Sequence, residues 1–485
     1  MRLAEYVILP SRGIRVASST ARTARLYLVG LVPGRRAPVA NLSMEVLDTI
    51  GSDGARLVRA SRRALDDLRA AHPGLVVAPV CYYQPASWQA GMIDKLARLR
   101  AVTGTVSLTV RSRTTGKPVP GADVIAVVDA ASNLGTVART NAGGVARLRL
   151  GGRTTIERLF VFAAGGYWSR MARDVEIVDP FVVTLRPLAI DAVDGLHHHL
   201  RPGKAHDGAG VRVGVVDTGV SRTHPDLVVV GGRNTVTGEA DDDFGDNGDG
   251  HGTHVAGIIA AHGRLPTGRR GVAPGADIYS YRVFPRRGRS GAANFAIAKA
   301  IDAAVQDRCD VINLSLGSGE PDPVLRAAIE DARAAGTVVI AAAGNDDRDA
   351  VAFPASETTA IGVSALGRKG TYPGDSTAIA DQRGPYGRDR ADYVAAFSNV
   401  GPQIDLTGPG VAIISTVPGG YGEMSGTSMA CPAVAGMTAR LLGRTPKLLA
   451  AARDQDRSDE IIRRLLTRTR SLGLPPDLEG RGLPR

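Results

Sequence analysis

The sequence predicts an α/β protein. Its main body is a parallel sheet with helices on both faces, preceded by a small α+β domain and a β-sandwich domain. Two observations predict this. From Val211 onward, short apolar runs alternate with helical stretches, the pattern of a buried parallel sheet. Between residues 102 and 188 the texture is one of short alternating strands and hairpin turns, whereas strands and one helix mix before residue 100. At 485 residues, 44% of them hydrophobic, the chain holds two or three domains with sizeable cores.

Residues 1–100 give the α+β domain. Strands fit 6–9, 24–32, 43–48 and 55–60, the last two flanking the turn Gly51-Ser52-Asp53-Gly54. The stretch 61–71 has helical spacing, with Leu65 and Leu68 on one face, and 74–83 is a closing strand. Residues 101–188 give the β-sandwich, with strands at 103–111, 122–128, 135–139, 145–150, 158–164 and 174–185. Thr140-Asn141-Ala142-Gly143-Gly144 is a hairpin-type turn. Residues 189–209 read as a linker. Its His197-His198-His199 invites a metal reading, but adjacent side chains diverge and no second ligand group recurs at ligand spacing. A solvated connector is expected. Residues 210–485 give the parallel-sheet domain, with strands at 211–217, 277–283, 311–315, 338–343 and 360–365 and helices at 294–307 and 323–335. Residues 367–392, rich in Gly, Pro, Asp and Arg, read as a surface insertion.

The totals narrow the partners. The net charge is +11, but the basic residues are scattered and aromatics are only 4%, too few to stack bases, so no nucleic-acid partner is expected. No apolar run approaches about 18 residues, so no membrane partner is expected either. The first ten residues have too short an apolar run, broken by Glu5, for a secretory signal. That favours a cytoplasmic protein, with export by another route as the alternative. Cys81, Cys309 and Cys431 are odd in number and far apart, and read as buried thiols.

Four stretches carry chemistry. In Gly426-Thr427-Ser428-Met429-Ala430-Cys431-Pro432 a serine stands at the start of a helical run, where backbone N–H groups and the helix dipole favour negative charge. Its hydroxyl needs a base to become a nucleophile. Val211 to Asp217 is an apolar strand ending on a carboxylate, and Gly250-His251-Gly252-Thr253-His254 opens an apolar helix with a histidine. Val338 to Asn345 is another apolar strand, ending on an amide donor. Singly, Ser428 could be a helix cap, Asp217 and Asn345 turn residues, and His251 a satisfied core histidine. His254 follows His251 by three positions without the Glu of a zinc-protease helix, and reads as structural.

Together and in this order the four stretches resemble the subtilisin-like serine proteases (subtilases), from about Gly208 to near the C-terminus. The resemblance implies a serine endopeptidase acting on polypeptides through an acyl-enzyme. Asp217, His251 and Ser428 would form the catalytic triad, and Asn345, with the Ser428 N–H, the oxyanion hole. Substrate would lie extended beside Ser290 and Gly291 on one side and Ser315, Leu316 and Gly317 on the other. Ala342 and Gly344 would wall the pocket for the residue before the cut, whose small apolar lining suggests apolar or aromatic side chains. No cofactor is required and no catalytic metal is expected. The acidic run from Glu239 to Asp249 could hold a structural Ca²⁺, or be a solvated loop.

The helix-then-strand ending of residues 1–100 is similar to the inhibitory propeptide of subtilases. This implies a zymogen inhibited by its own N-terminal domain, with cleavage expected near 190–210. Residues 101–188 resemble the carboxypeptidase-regulatory-like β-sandwich. Cys431 and Ala433 stand where many subtilases carry Ser and His. The alternative is a catalytically idle subtilase fold that captures partners.

Overall fold

The computed structural model describes residues 3–10, 12–15, 44–99, 104–178, 180–264, 268–287 and 291–485. The strand expected at 24–32 lies outside them.

Among the described residues the chain opens with β1 (Ala4–Pro10), β2 (Met44–Thr49), β3 (Arg56–Ala60), α1 (Arg62–Ala71) and β4 (Leu75–Pro79), an antiparallel sheet in the order β2-β3-β1-β4 with α1 against it. Ser61 caps α1 by accepting from the Ala64 N–H at 3.3 Å. Side chains alternate across a strand, and here both sides are apolar. Ile8, Val46 and Val58 pack with Leu65 and Leu68 of α1. Val7, Leu9, Leu57 and Ala78 belong to a different core, shared with Phe295, Ala296 and Ile329 far along the chain. Ion pairs flank that contact, Arg15 to Asp302 at 2.6 Å and Lys299 to Asp48 at 3.0 Å.

A short strand, β5 (Tyr82–Pro85), and a helix, α2 (Trp88–Lys95), lead into a two-sheet unit. It comprises β6 (Ala97–Arg98), β7 (Thr105–Ser112), β8 (Asp123–Asp129), β9 (Leu134–Arg139), β10 (Val145–Arg149), β11 (Thr155–Phe162), β12 (Arg170–Glu176) and β13 (Phe181–Leu185). The sheets run β10-β7-β13 and β12-β11-β8-β9-β6, and Leu108, Val110, Val124, Leu148 and Val161 fill the space between them. The single strand expected at 174–185 is two strands in different sheets. Pro180, with no N–H to give a ladder, falls in the break.

The expected solvated linker is packed instead. It holds α3 (Gly195–Leu200), anchored by Leu196 and Leu200 at four-residue spacing in the main core. Asp194 caps this helix through the His197 N–H (3.0 Å), accepts the Ile414 N–H (2.9 Å) and pairs with buried Arg269 at 2.6 Å. The three histidines therefore stand on a helix. His199 is buried beside Asp392 at 3.2 Å, and His197 Nε2 meets the Arg270 carbonyl at 2.8 Å.

The main sheet follows: β14 (Arg212–Asp217), β15 (Val229–Asn234), α4 (His251–Ala260), β16 (Asp277–Arg282), β17 (Ala292–Ala293), α5 (Asn294–Gln306), β18 (Val311–Leu314), β19 (Leu316–Gly317), α6 (Pro323–Ala334), β20 (Val338–Ala342), β21 (Ile361–Arg368), β22 (Asp392–Val394), β23 (Leu406–Pro409), β24 (Ile413–Val417), β25 (Gly420–Met424) and α7 (Thr427–Gly443). Its order is β15-β16-β14-β18-β20-β21-β22, with β23 also on β21, and among the described strands only β22 runs antiparallel. Val213, Val215 and Ile340 face α4 and α7, while Val216, Val339 and Ala341 face α5 and α6. Both faces are thus dry, which is why these strands read as unbroken apolar runs.

The insertion at 367–392 is not a free surface loop. Its 3₁₀ turn, Thr377–Asp381, buries Ala378. Thr377 meets Ser169 at 2.6 Å between hydroxyls, and the Asp375 carbonyl accepts the Met171 N–H at 2.9 Å. It docks the two-sheet unit onto the main domain.

Candidate active site

Parallel strands deliver their carboxyl ends to one edge of the sheet, and the candidate residues gather there. Asp217 ends β14, and His251 is the first residue of α4, after Gly250 in a left-handed turn (φ 87°). Gly252 permits their approach, because a Cβ there would lie 2.4 Å from the Gly219 carbonyl oxygen. His251 Nδ1–H donates to Asp217 Oδ1 at 2.8 Å, and both side chains are almost wholly buried. Burial disfavours the charged imidazole. The charge and hydrogen bond of Asp217, with Asp249 and Asp246 behind it, outweigh burial and hold the His251 pKa above its ordinary value.

Ser428 is the second residue of α7 and fully buried. Its hydroxyl donates to the Ser315 carbonyl at 3.0 Å, while His251 Nε2 is buried with no hydrogen-bond partner among the described residues. The Asp217–His251 half of the expected constellation is therefore joined, and the Ser428–His251 half is not.

The reason for the burial is the chain itself. β5 lies in the cleft between β17 and β19, antiparallel to both. Tyr83 pairs with Ala292, Gln84 with Gly317, and Pro85 with Leu316. The Ala86 N–H donates to the Ser315 carbonyl at 3.1 Å. The Ala86 carbonyl oxygen then receives two donors, Asn345 Nδ2 at 2.5 Å and the Ser428 N–H at 3.2 Å. Beyond it, the Trp88 N–H donates to the Ser425 carbonyl at 3.1 Å, and the Trp88 ring sits among Phe160, Phe162 and Phe397 at 5.8 to 6.3 Å.

Of the expected substrate-binding residues, Leu316 and Gly317 flank this strand directly and Ser315 holds it through its backbone. Gly291 must be bare, because a Cβ there would lie 2.5 Å from the Tyr83 carbonyl oxygen. Ala342 and Gly344 are buried at the end of β20 and make no hydrogen bond to the strand among the described residues. Ser290 lies outside the described residues.

Two residues escape the sequence reading. Thr427 donates both its N–H and its hydroxyl to Asn345 Oδ1, each at 2.9 Å, which turns the amide NH₂ toward Ala86. A Thr beside a candidate nucleophile is the available signal. Ala86 carries no signal at all, since two-residue pairings leave no periodicity.

His254 packs α4 against the β24–β25 hairpin, its Nε2 facing the Ile413 and Gly422 carbonyls. Burial and the neighbouring His251 push its pKa down to about 3, so it stays neutral. The Cys431 thiol donates to the Ile340 carbonyl at 3.3 Å, and burial raises its pKa far above the ordinary range, leaving it inert. In the acidic run, Glu239 and Asp243 pair with Arg282, Asp243 with Arg286, and Asp246 accepts from Thr253. Among the described residues no group of three or more His, Cys, Asp or Glu is placed to hold a metal ion, and Glu239, Asp243 and Asp246 of the loop are engaged by Arg282, Arg286 and Thr253.

Comparison with known proteins places the chain in a family. The subtilase family model matches residues 208–482. Subtilisin DY of Bacillus licheniformis is 38% identical over 253 residues, 51% of this chain and 82% of that protein. An intracellular serine protease of Paenibacillus polymyxa is 38% identical over 286 residues, 57% of this chain and 79% of its own length. Subtilisin BL of Lederbergia lenta is 38% identical over 240 residues, covering 49% and 78%. The chain belongs to the subtilase family. It is a serine endopeptidase, a hydrolase of peptide bonds. Among the described residues no helix is long and apolar enough to cross a membrane.

Proposed function

We propose that this endopeptidase works through Asp217, His251 and Ser428 by way of an acyl-enzyme. Ser428 Oγ attacks the substrate carbonyl carbon, and His251 Nε2 takes its proton and returns it to the leaving nitrogen. Asp217 holds the opposite ring N–H and steadies the imidazolium. Asn345 and the Ser428 N–H hold the oxyanion, and water then releases the acyl group. To begin, the serine hydroxyl turns from the Ser315 carbonyl to the waiting His251 Nε2.

One observation carries the reading: a peptide carbonyl, that of Ala86, is held by Asn345 Nδ2 and the Ser428 N–H at once. It also supports self-inhibition. In this reading residues before Ala86 form an inhibitory domain whose own strand fills the substrate cleft, and Ala86–Ser87, not a bond near 190–210, is the one presented for cutting. The two-sheet unit then stays with the catalytic domain. The names of the relatives, subtilisins and a serine protease, support polypeptides as the substrate class.

The test is fluorophosphonate labelling of the full chain beside Ser428→Ala, with intact mass followed over time. Labelling lost in the variant, and a break after Ala86 found only in the wild type, are expected. A folded wild-type chain that neither labels nor breaks overturns the proposal.

A further inference from the structure

We infer that Asp322 is a specificity-determining residue that reads a phenolic hydroxyl, so that the enzyme prefers tyrosine three positions before the residue whose carbonyl is attacked. The inference rests on the reading of β5 as a substrate-like strand and names what that strand would select.

Tyr83 stands three residues before Ala86 and is fully buried, in the apolar cluster that includes Ala292, Phe295, Leu316 and Val324. Its hydroxyl donates to Asp322 Oδ2 at 3.1 Å. Asp322 is only 3% exposed. Its other oxygen, Oδ1, accepts the Val324 N–H at 2.8 Å and caps α6. The second donor to Oδ2 is the Cys81 thiol at 2.9 Å. Cys81 and Tyr83 both precede Ala86, so both belong to the inhibitory segment. Among the described residues no donor of the main domain reaches Oδ2.

The consequence follows from the cost of a buried, unpaired acceptor. When the strand leaves, Oδ2 faces an emptied pocket that water can enter. A tyrosine restores its hydrogen bond. A phenylalanine fills the same volume, expels the water and leaves a carboxylate oxygen against a ring edge. Pockets built to bond a hydroxyl reject the analogue lacking it far more strongly than apolar pockets reject a missing methylene.

The full chain is incubated until intact mass shows the break after Ala86. Its kcat/KM is then measured on the peptides Tyr-Gln-Pro-Ala-Ser-Trp and Phe-Gln-Pro-Ala-Ser-Trp. The wild type is expected to favour the tyrosine peptide by more than about ten-fold. Asp322→Ser keeps the helix cap but is too short to reach the hydroxyl. In that variant the preference falls to about two-fold or less, mainly by faster cleavage of the phenylalanine peptide, a change that a purely capping role does not produce. Equal cleavage of the two peptides by the wild type, or an unchanged preference in Asp322→Ser, overturns the inference alone. A chain that neither breaks after Ala86 nor cleaves either peptide overturns the reading of the cleft, and the inference with it.

Discussion

Asn345 holds the carbonyl oxygen of Ala86 at 2.5 Å across 259 positions of sequence. That one hydrogen bond joins a loop residue just beyond β20 to the N-terminal segment, and the first prediction concerns it.

Asn345→Ala removes the donor while leaving the cleft's shape. Turnover is expected to fall about 100- to 1,000-fold with KM little changed, a range drawn from proteases of this family rather than from the present geometry. Thr427→Val removes one of the two bonds to Asn345 Oδ1 and gives a smaller loss of the same kind. Steady-state kinetics on a peptide substrate checks both, and a change confined to KM contradicts the assignment.

The pH dependence follows from His251 as the proposed base. A base must be neutral to take the serine proton, and this imidazole's pKa is held up by Asp217. The acid limb of kcat/KM should therefore have its midpoint above about 6.5. Stability carries the opposite sign. A raised folded-state pKa contributes stability that is full below about pH 6.5 and is lost as pH rises through the folded value. A profile whose acid limb lies below 6.5 contradicts the Asp217 contact.

Gly426 precedes α7 with φ 154°, and a Cβ there would lie 2.6 Å from the Ala86 carbonyl oxygen. Gly426→Ala should fold yet seat substrate badly, lowering kcat/KM roughly 100-fold or more, since displacement of about an ångström costs that much. Unchanged cleavage by a folded variant argues that substrate does not follow the path of Ala86.

Arg269 and Asp194 form a buried pair at 2.6 Å that ties α3 to the main domain. Arg269→Met strands the carboxylate and should cost about 3–5 kcal/mol. The double variant with Asp194→Leu removes the stranded charge but also the acceptor for the His197 and Ile414 N–H groups, and should recover only part of that. Urea unfolding of the three proteins checks the order, and a double variant weaker than the single one refutes it.

How much of this was legible follows from the kind of signal each element leaves. Val338–Ala342 and Arg212–Asp217 lie buried on both faces and so read as apolar runs, one leading to Asn345 three residues on and the other ending on Asp217. Those ends are what the sequence offered as site candidates, and Asp217 and His251 do meet. The helix at Gly195–Leu200 was missed because six residues, half of them histidine, show little periodicity, and its stability comes from Asp194, Arg269 and two leucines. The placement of Ala86 was illegible for a different reason. It depends on two-residue pairings with Ala292–Ala293 and Leu316–Gly317, and edge pairing of backbones writes nothing into side-chain spacing.

Under the proposed self-inhibition, the opening sheet, apolar on both faces, would give activation a direction in time. Cut free after Ala86, it would carry Val7, Leu9, Leu57 and Ala78 into water with nothing to cover them. So small a body, stripped of half its shelter, would be a poor competitor for the surface it had left and an easy meal for the protease it is proposed to restrain. Release would then work as a ratchet. The expected sign is a free 1–86 fragment that shows little ordered structure by circular dichroism and vanishes faster than the main chain.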